Sequence, residues 1–191
     1  MWKKLAIIGA LTVPMLGLGH SASAAETTHR VDSGESLYKI GMEYGVSIKD
    51  LKAENNKETD ALAINETLKI PSSISSTDKD LLARIIHAEA KGEPYAGKVA
   101  VATVILNRVD NDAFPNSIRE VIYQKGQFEP VSNGEINKPA DAEAKKAVNE
   151  ALALHGGGSG SLFFFNPSKT DNQWLRQKEV TTTIGDHVFA K

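Results

Sequence analysis

The sequence predicts an α+β protein: a small β-α-α-β unit, then a mainly helical domain that closes on a small antiparallel sheet. Three observations carry this. The run Pro71-Ser72-Ser73-Ile74-Ser75-Ser76 divides the chain, because a Ser-rich stretch after a proline reads as a linker. Apolar residues recur at helical spacing on both sides of it, first from Leu37 to Tyr44 and then from Leu82 to Val109. After the glycine-rich loop Gly156 to Ser161 the pattern becomes short apolar runs separated by turn residues, which places strands after helices.

Residues 1–25 read as a signal peptide. Lys3 and Lys4 precede an apolar run from Leu5 to Leu18, and Ala22-Ser23-Ala24 supplies a small-residue cleavage site. That run is shorter than the roughly 20 residues of a spanning helix and contains Pro14, so no stable membrane insertion is expected. The expected location is secreted. The expected divisions are then 26–71 for the small unit, 72–77 for the linker and 78–191 for the larger domain.

In the small unit, His29-Arg30-Val31 reads as a strand and Asp32-Ser33-Gly34-Glu35 as a turn, with Ser36 or Asp32 available as a helix cap. Leu37, Ile40 and Tyr44 give an amphipathic helix that Gly45 ends. Ser47 caps a second helix, Ile48 to Glu54, and Leu68-Lys69-Ile70-Pro71 is a closing strand. In the larger domain, Thr77 is the expected cap of a helix with Asp80 at its third position, and Gly92 and Pro94 stop it. A helix from Pro94 or Tyr95 to about Val109 is apolar on every face between Val99 and Asn107, so it should lie at the centre of the domain. A third helix follows Pro115-Asn116, and a fourth, Ala-rich one runs from Asp141 to His155. Leu162 to Phe165 is a strand candidate, and Val180 to Ile184 with His187 to Phe189 flank Gly185-Asp186 as a hairpin with a type II′ turn.

Composition narrows the function. Removing residues 1–25 takes away Lys3 and Lys4 and leaves 20 basic against 24 acidic residues, which argues against a nucleic-acid partner. The absence of cysteine excludes thiol nucleophiles and Cys-ligated zinc. The triplet His87-Ala88-Glu89 is that of zinc deaminases, but the Cys pair they need is missing. There is no His-Glu-x-x-His, so neither a metal nor another cofactor is expected. His87 reads as a surface or packing residue, His155 ends a helix, where a cation offsets the dipole, and His187 begins the last strand.

One carboxylate stands where a carboxylate is costly. Glu89 shares a helical face with Leu82, Ile85 and Ile86. Desolvation there favours the neutral acid, the form a glycosidase needs to protonate a leaving oxygen. An interhelical salt bridge is the competing reading, and spacing alone leaves both open. Glu93 precedes Pro94 at a helix start and reads as a capping or dipole residue. Of Phe163, Phe164, Phe165 and Trp174, one or two should line a groove, because they cannot all enter the core from one strand and its neighbour.

Two resemblances add to this. Arg30-Val31, Gly34-Glu35-Ser36-Leu37, Ile40, Tyr44-Gly45-Val46-Ser47, Leu51, Asn55 and Leu68-Lys69-Ile70-Pro71 resemble a LysM module. The resemblance implies a β-α-α-β fold binding N-acetylglucosamine-containing glycans in a shallow groove, with Asp32, Gly34 and Ser36 opposite Asn65. Asn65 stands near where the family has Gly, and Asn tolerates the left-handed conformation. The stretch Ala83 to Val109, with Phe114-Pro115-Asn116, Val121-Ile122-Tyr123-Gln124, Phe128-Glu129-Pro130-Val131, Phe165-Asn166-Pro167 and Ile184-Gly185-Asp186-His187-Val188-Phe189, resembles the spore cortex-lytic cell wall hydrolases of the SleB/CwlJ type. That implies a lysozyme-like or lytic-transglycosylase-like domain acting on peptidoglycan glycan strands, associated with the cell wall or spore envelope, with the catalytic acid at Glu89. A lytic transglycosylase needs that one carboxylate; a hydrolase needs a second, and Glu129, read as sitting in a Phe-Glu-Pro turn, is the leading candidate for it. Tyr123, Gln124, Asn166 and Trp174 are candidate glycan contacts. A zinc amidase and a non-catalytic wall-binding protein are the rival classes. The first lacks metal-ligand spacing, and the retained acid argues against the second.

Overall fold

The structure is a computed structural model and describes residues 27–191; the expected signal peptide lies outside the described residues. In the small unit β1 (Thr28–Arg30) pairs antiparallel with β2 (Thr67–Lys69), His29 opposite Leu68. Both strands sit one residue earlier than their sequence patterns suggest. Val31 continues the ladder instead, donating to the Glu66 carbonyl at 2.9 Å and accepting from Asn65 N–H at 2.8 Å. Between the strands lie α1 (Leu37–Tyr44) and α2 (Ile48–Glu54), capped by the Ser36 and Ser47 hydroxyls. Gly45 ends α1 at φ 63°, and Asn65 takes φ 69° where its side chain is tolerated. Val31, Leu37, Ile40, Val46, Leu51 and Leu68 form the core of this unit.

The larger domain places α3 (Ser76–Glu89), α4 (Tyr95–Val109), α5 (Ile118–Tyr123), α6 (Glu129–Asn133) and α7 (Ala142–Ala153) before β3 (Phe163–Phe165), α8 (Gln173–Arg176), β4 (Val180–Ile184) and β5 (His187–Ala190). The sheet is antiparallel with order β3-β5-β4. α4 is central, as its all-round apolarity predicts: Val101, Ala102, Val104, Ile105 and Leu106 are buried against Leu82, Ile85 and Ile86 of α3 and Phe189 of β5. Gly185 has φ 59° while Asp186 does not enter the positive-φ region, which fits a type II′ turn. Among the described residues no helix is long and apolar enough to cross a membrane.

Three expectations are corrected. α3 begins at Ser76, and its cap is Ser75 rather than Thr77. The Ser75 hydroxyl accepts from Asp78 N–H at 3.0 Å and donates to the Asp78 carboxylate at 2.7 Å, so Asp78, not Asp80, is the acid at the third helical position and the partner of the cap. Glu129 is not in a bare turn but is the first residue of α6. Glu93 does not cap its own helix, since Pro94 is the N-cap and makes no side-chain bond there. Its carboxylate reaches across to the hairpin, where Oε2 accepts from Asp186 N–H at 3.1 Å.

The run read as a linker is ordered, and the small unit is seated on the large one. Ser73 Oγ donates to the Gly45 carbonyl at 2.5 Å, and Lys79 Nζ donates to the Tyr44 carbonyl at 2.9 Å. A Cβ on Gly41 would lie 3.2 Å from Ala153 Cβ, so α1 and α7 approach closely through small residues. Glu150 on α7 accepts from Tyr95 Oη at 2.6 Å and also bonds Tyr38 of α1.

Candidate active site

α3 delivers Glu89 at its last position. Leu82, Ile85 and Ile86 are buried on the face it shares, so the carboxylate follows them inward rather than into solvent. It lines a cleft of about 1050 Å³ with Glu129, Arg108, Phe163, Phe164, Asn166, Trp174 and His187. Glu89 is pushed up to about 7. Burial is the largest cause, the Glu129 charge adds to it, and a hydrogen bond from the Glu129 backbone opposes it. The α3–α6 arrangement thus makes a carboxylic acid that is substantially neutral near pH 7, with a solvent-exposed second carboxylate close by.

The aromatic rings form the floor and one wall. Phe163 and Phe164 are half-buried and Phe165 is buried. Trp174 is 54 % exposed, enough to leave a ring face open to a sugar, and its ring meets Phe163 edge-on at 5.0 Å. Lys178 Nζ stands 4.1 Å from the Trp174 ring centroid. Asn166 lines the cleft, but its Oδ1 accepts from Ser168 N–H at 2.8 Å, so it also shapes the loop after β3.

The other sequence candidates fall elsewhere. Gln124 lines a separate depression of about 650 Å³ that shares Asn111 and Phe114 with the cleft. Tyr123 lines neither; its exposed ring lies under Arg119 at 5.0 Å. In the small unit Asp32 and Gly34 are exposed at the turn before α1, and Ser36 spends its acceptor on the helix cap. Glu35 rather than Asp32 holds that turn. Its Oε2 accepts from Asp32 N–H at 2.7 Å and meets His29 Nε2 at 2.8 Å, and these bonds lower its pKa, the His29 bond most.

Sequence reading missed Arg108 and His187. Arg108 is 5 % exposed, donates to the Leu162 carbonyl at 2.7 Å and to Gln127 Oε1 at 3.2 Å, and faces the rings of Phe114, Phe128 and Phe163. Burial brings its pKa down to about 10, so it stays a cation. At the end of an apolar helix an Arg reads as a dipole partner, and nothing local tells that β3 covers it. His87 and His155, by contrast, pair with Asp141 at 3.1 Å and Asp110 at 3.0 Å, and neither lines the cleft that holds Glu89. Among the described residues no three His, Cys, Asp or Glu side chains are grouped to hold a metal ion.

Fold and cleft define a two-part protein: a β-α-α-β module seated on a helical domain whose cleft pairs a buried acid with aromatic rings. The LysM domain model matches residues 29–71, and the cell wall hydrolase model matches residues 92–190, beginning just past Glu89. The spore cortex-lytic enzyme of Bacillus cereus is 37 % identical over 127 residues, 66 % of this chain and 49 % of that protein. Cell wall hydrolase CwlJ of Bacillus subtilis is 33 % identical over 115 residues, 56 % of this chain and 80 % of that one. The solved catalytic domain of the germination-specific lytic transglycosylase SleB from Bacillus anthracis superposes with a TM-score of 0.60 at 37 % identity, over 64 % of this chain and all of that domain. The chain spans about half the length of the spore cortex-lytic relatives it matches. It belongs to the cell wall hydrolase family, is an enzyme by that membership, and carries a LysM domain.

Proposed function

We propose that this protein cleaves the β-1,4 bond between N-acetylmuramic acid and N-acetylglucosamine in peptidoglycan, as a lytic transglycosylase of the cell wall or spore cortex. Glu89 protonates the glycosidic oxygen. It then takes the proton of the muramoyl 6-hydroxyl as that oxygen attacks C1, giving a 1,6-anhydro end. Glu89 begins and ends the cycle protonated, and no water is consumed. The observation that carries the reading is the Glu89 carboxyl, held near 7 by burial in a cleft lined with aromatic rings. The lytic transglycosylase activity of the SleB relative supports the same chemistry. Glu129 raises the Glu89 pKa through its charge, and in a hydrolytic cycle it is the carboxylate that would activate water. Trp174 and Asn166 contact the strand in the cleft. Tyr123 and Gln124 serve an outer stretch of it. The LysM turn at Asp32, Gly34 and Ser36, with Asn65 across from it, holds N-acetylglucosamine and targets the secreted enzyme to the wall.

Product analysis on purified sacculi tests this. The expected products carry anhydro-muramic ends and take up no oxygen-18 from labelled water. Reducing ends that incorporate the label would mean hydrolysis, and Glu129→Gln would then be nearly as damaging as Glu89→Gln. Clearing by Glu89→Gln at the wild-type rate would remove Glu89 from the reaction.

A further inference from the structure

The cleft holds another built polar group that this reaction scheme leaves unused. His187 opens β5 and is only 9 % exposed, yet it lines the cleft together with Glu89 and Glu129. Its Nδ1 is buried without a hydrogen bond and stands 3.7 Å from Glu93 Oε1. The ring is held edge-on by Phe164 at 5.3 Å and Phe189 at 6.3 Å between centroids. Glu93 is itself fixed, with its side chain 9 % exposed. The hairpin turn is shaped around that carboxylate: a Cβ on Gly185 would come 2.1 Å from Glu93 Oε2. Burying an imidazole nitrogen and a carboxylate with their bonds incompletely made costs stability, and an unsatisfied buried group in a native structure calls for a functional or structural reason. Phe164 ties this pair to the helix start that carries Glu129. Its ring also packs against Phe128, the residue before Glu129, at 6.4 Å.

Resting on the glycan-cleaving reading above, we infer that His187 contacts the substrate, hydrogen-bonding a hydroxyl or N-acetyl group of the sugar over Phe164, and that Glu93 positions it. With Nδ1–H toward Glu93, Nε2 carries the lone pair and accepts from the sugar. Burial holds the imidazole below its ordinary pKa, against the opposite pull of Glu93, and so favours the neutral ring that this bond needs.

Trp174 gives a probe confined to the cleft. The chain has two tryptophans, Trp2 and Trp174, so a Trp2→Phe, Glu89→Gln background leaves only the cleft residue and no turnover. Short soluble glycan strands prepared from peptidoglycan are titrated against it by fluorescence. His187→Phe keeps the ring packing and is expected to weaken Kd about tenfold or more, the worth of one good hydrogen bond. His187→Gln should recover part of that loss. Glu93→Gln should cost about three- to tenfold alone and nothing further in the His187→Phe background. In the active enzyme the His187→Phe loss should fall on KM more than on kcat. Wild-type Kd in folded His187→Phe overturns the inference; should that variant fail to fold, wild-type Kd in both His187→Gln and Glu93→Gln overturns it. An equal Glu93→Gln loss in both backgrounds overturns the positioning role. Absence of strand binding in the parent background would strike the proposed function instead.

Discussion

Glu89 couples the chemistry of the cleft to the stability of the fold. Its pKa rises from 4.5 to about 7 on folding, so the folded state prefers the neutral acid. The associated stability is fully present below pH about 4.5 and is lost as pH rises through about 7. The shift corresponds to about 3 kcal/mol above pH 8. Glu89→Gln removes the titration, so urea unfolding should find it more stable than wild type at pH 8.5, by up to about 3 kcal/mol, with the difference closing by pH 4. A variant no more stable at pH 8.5 would mean that the burial is relaxed by water. Under the proposed mechanism activity should fall as pH rises past about 7, because that reaction starts from the protonated acid. Glu129→Gln removes a charge that raises Glu89, so the alkaline limb of the pH–rate profile should move to lower pH; an unmoved limb would separate the two carboxylates. The inward position of Glu89 was legible in its spacing from Leu82, Ile85 and Ile86. Arg108 and His187 were not, because what buries them, β3 and the packed rings, arrives from far along the chain.

At the scale of elements, legibility followed the strength of local signals. Ser36, Ser47 and Gly45 begin or end helices where capping chemistry says they should, while Asp141, read as the first residue of its helix, is instead the cap of Ala142–Ala153. The hairpin at Gly185 was readable from its turn residues. α6 and α8 were not readable, since five and four residues are too few to display a helical period. The α3 boundary was misread by two residues for a related reason. Several Ser and Thr hydroxyls compete there, and Ser75 wins by bonding both Asp78 N–H and its carboxylate. The hairpin turn yields a direct test. Gly185→Ala must place a Cβ 2.1 Å from Glu93 Oε2 and 2.7 Å from Pro94 Cδ at a positive φ. Backbone strain and the displaced carboxylate together should cost about 2–4 kcal/mol in denaturant unfolding. A loss under about 0.5 kcal/mol would mean that the turn relaxes freely and that its glycine is incidental.

For the whole molecule, composition and spacing predicted two units but not how they sit. A Ser-rich run reads as flexible because its residues solvate well, yet here Ser73 and Ser75 both find partners and Ile74 packs on the larger core. The contact between units is directional. Lys79 is buried enough that desolvation lowers its pKa, and its ammonium ends on the last carbonyl of α1, where a cation offsets the helix dipole. Glu150 gathers the Tyr38 and Tyr95 hydroxyls, one from each unit. Gly41 lets α1 close on Ala153. Contacts of this kind make the LysM domain part of one cooperative body rather than a tethered ligand. The described chain should therefore unfold in a single calorimetric transition with equal calorimetric and van't Hoff enthalpies. Ala153→Arg, which forces a long side chain between α1 and α7, should split it into two. Removal of residues 26–74, which keeps the Ser75 cap, should leave a larger domain that folds with a lower Tm and is pulled down less by insoluble peptidoglycan. Two separate transitions in the wild-type chain, or a truncated domain with an unchanged Tm, would show that the docked arrangement contributes nothing to stability and would return the pair to the independent modules the sequence suggests.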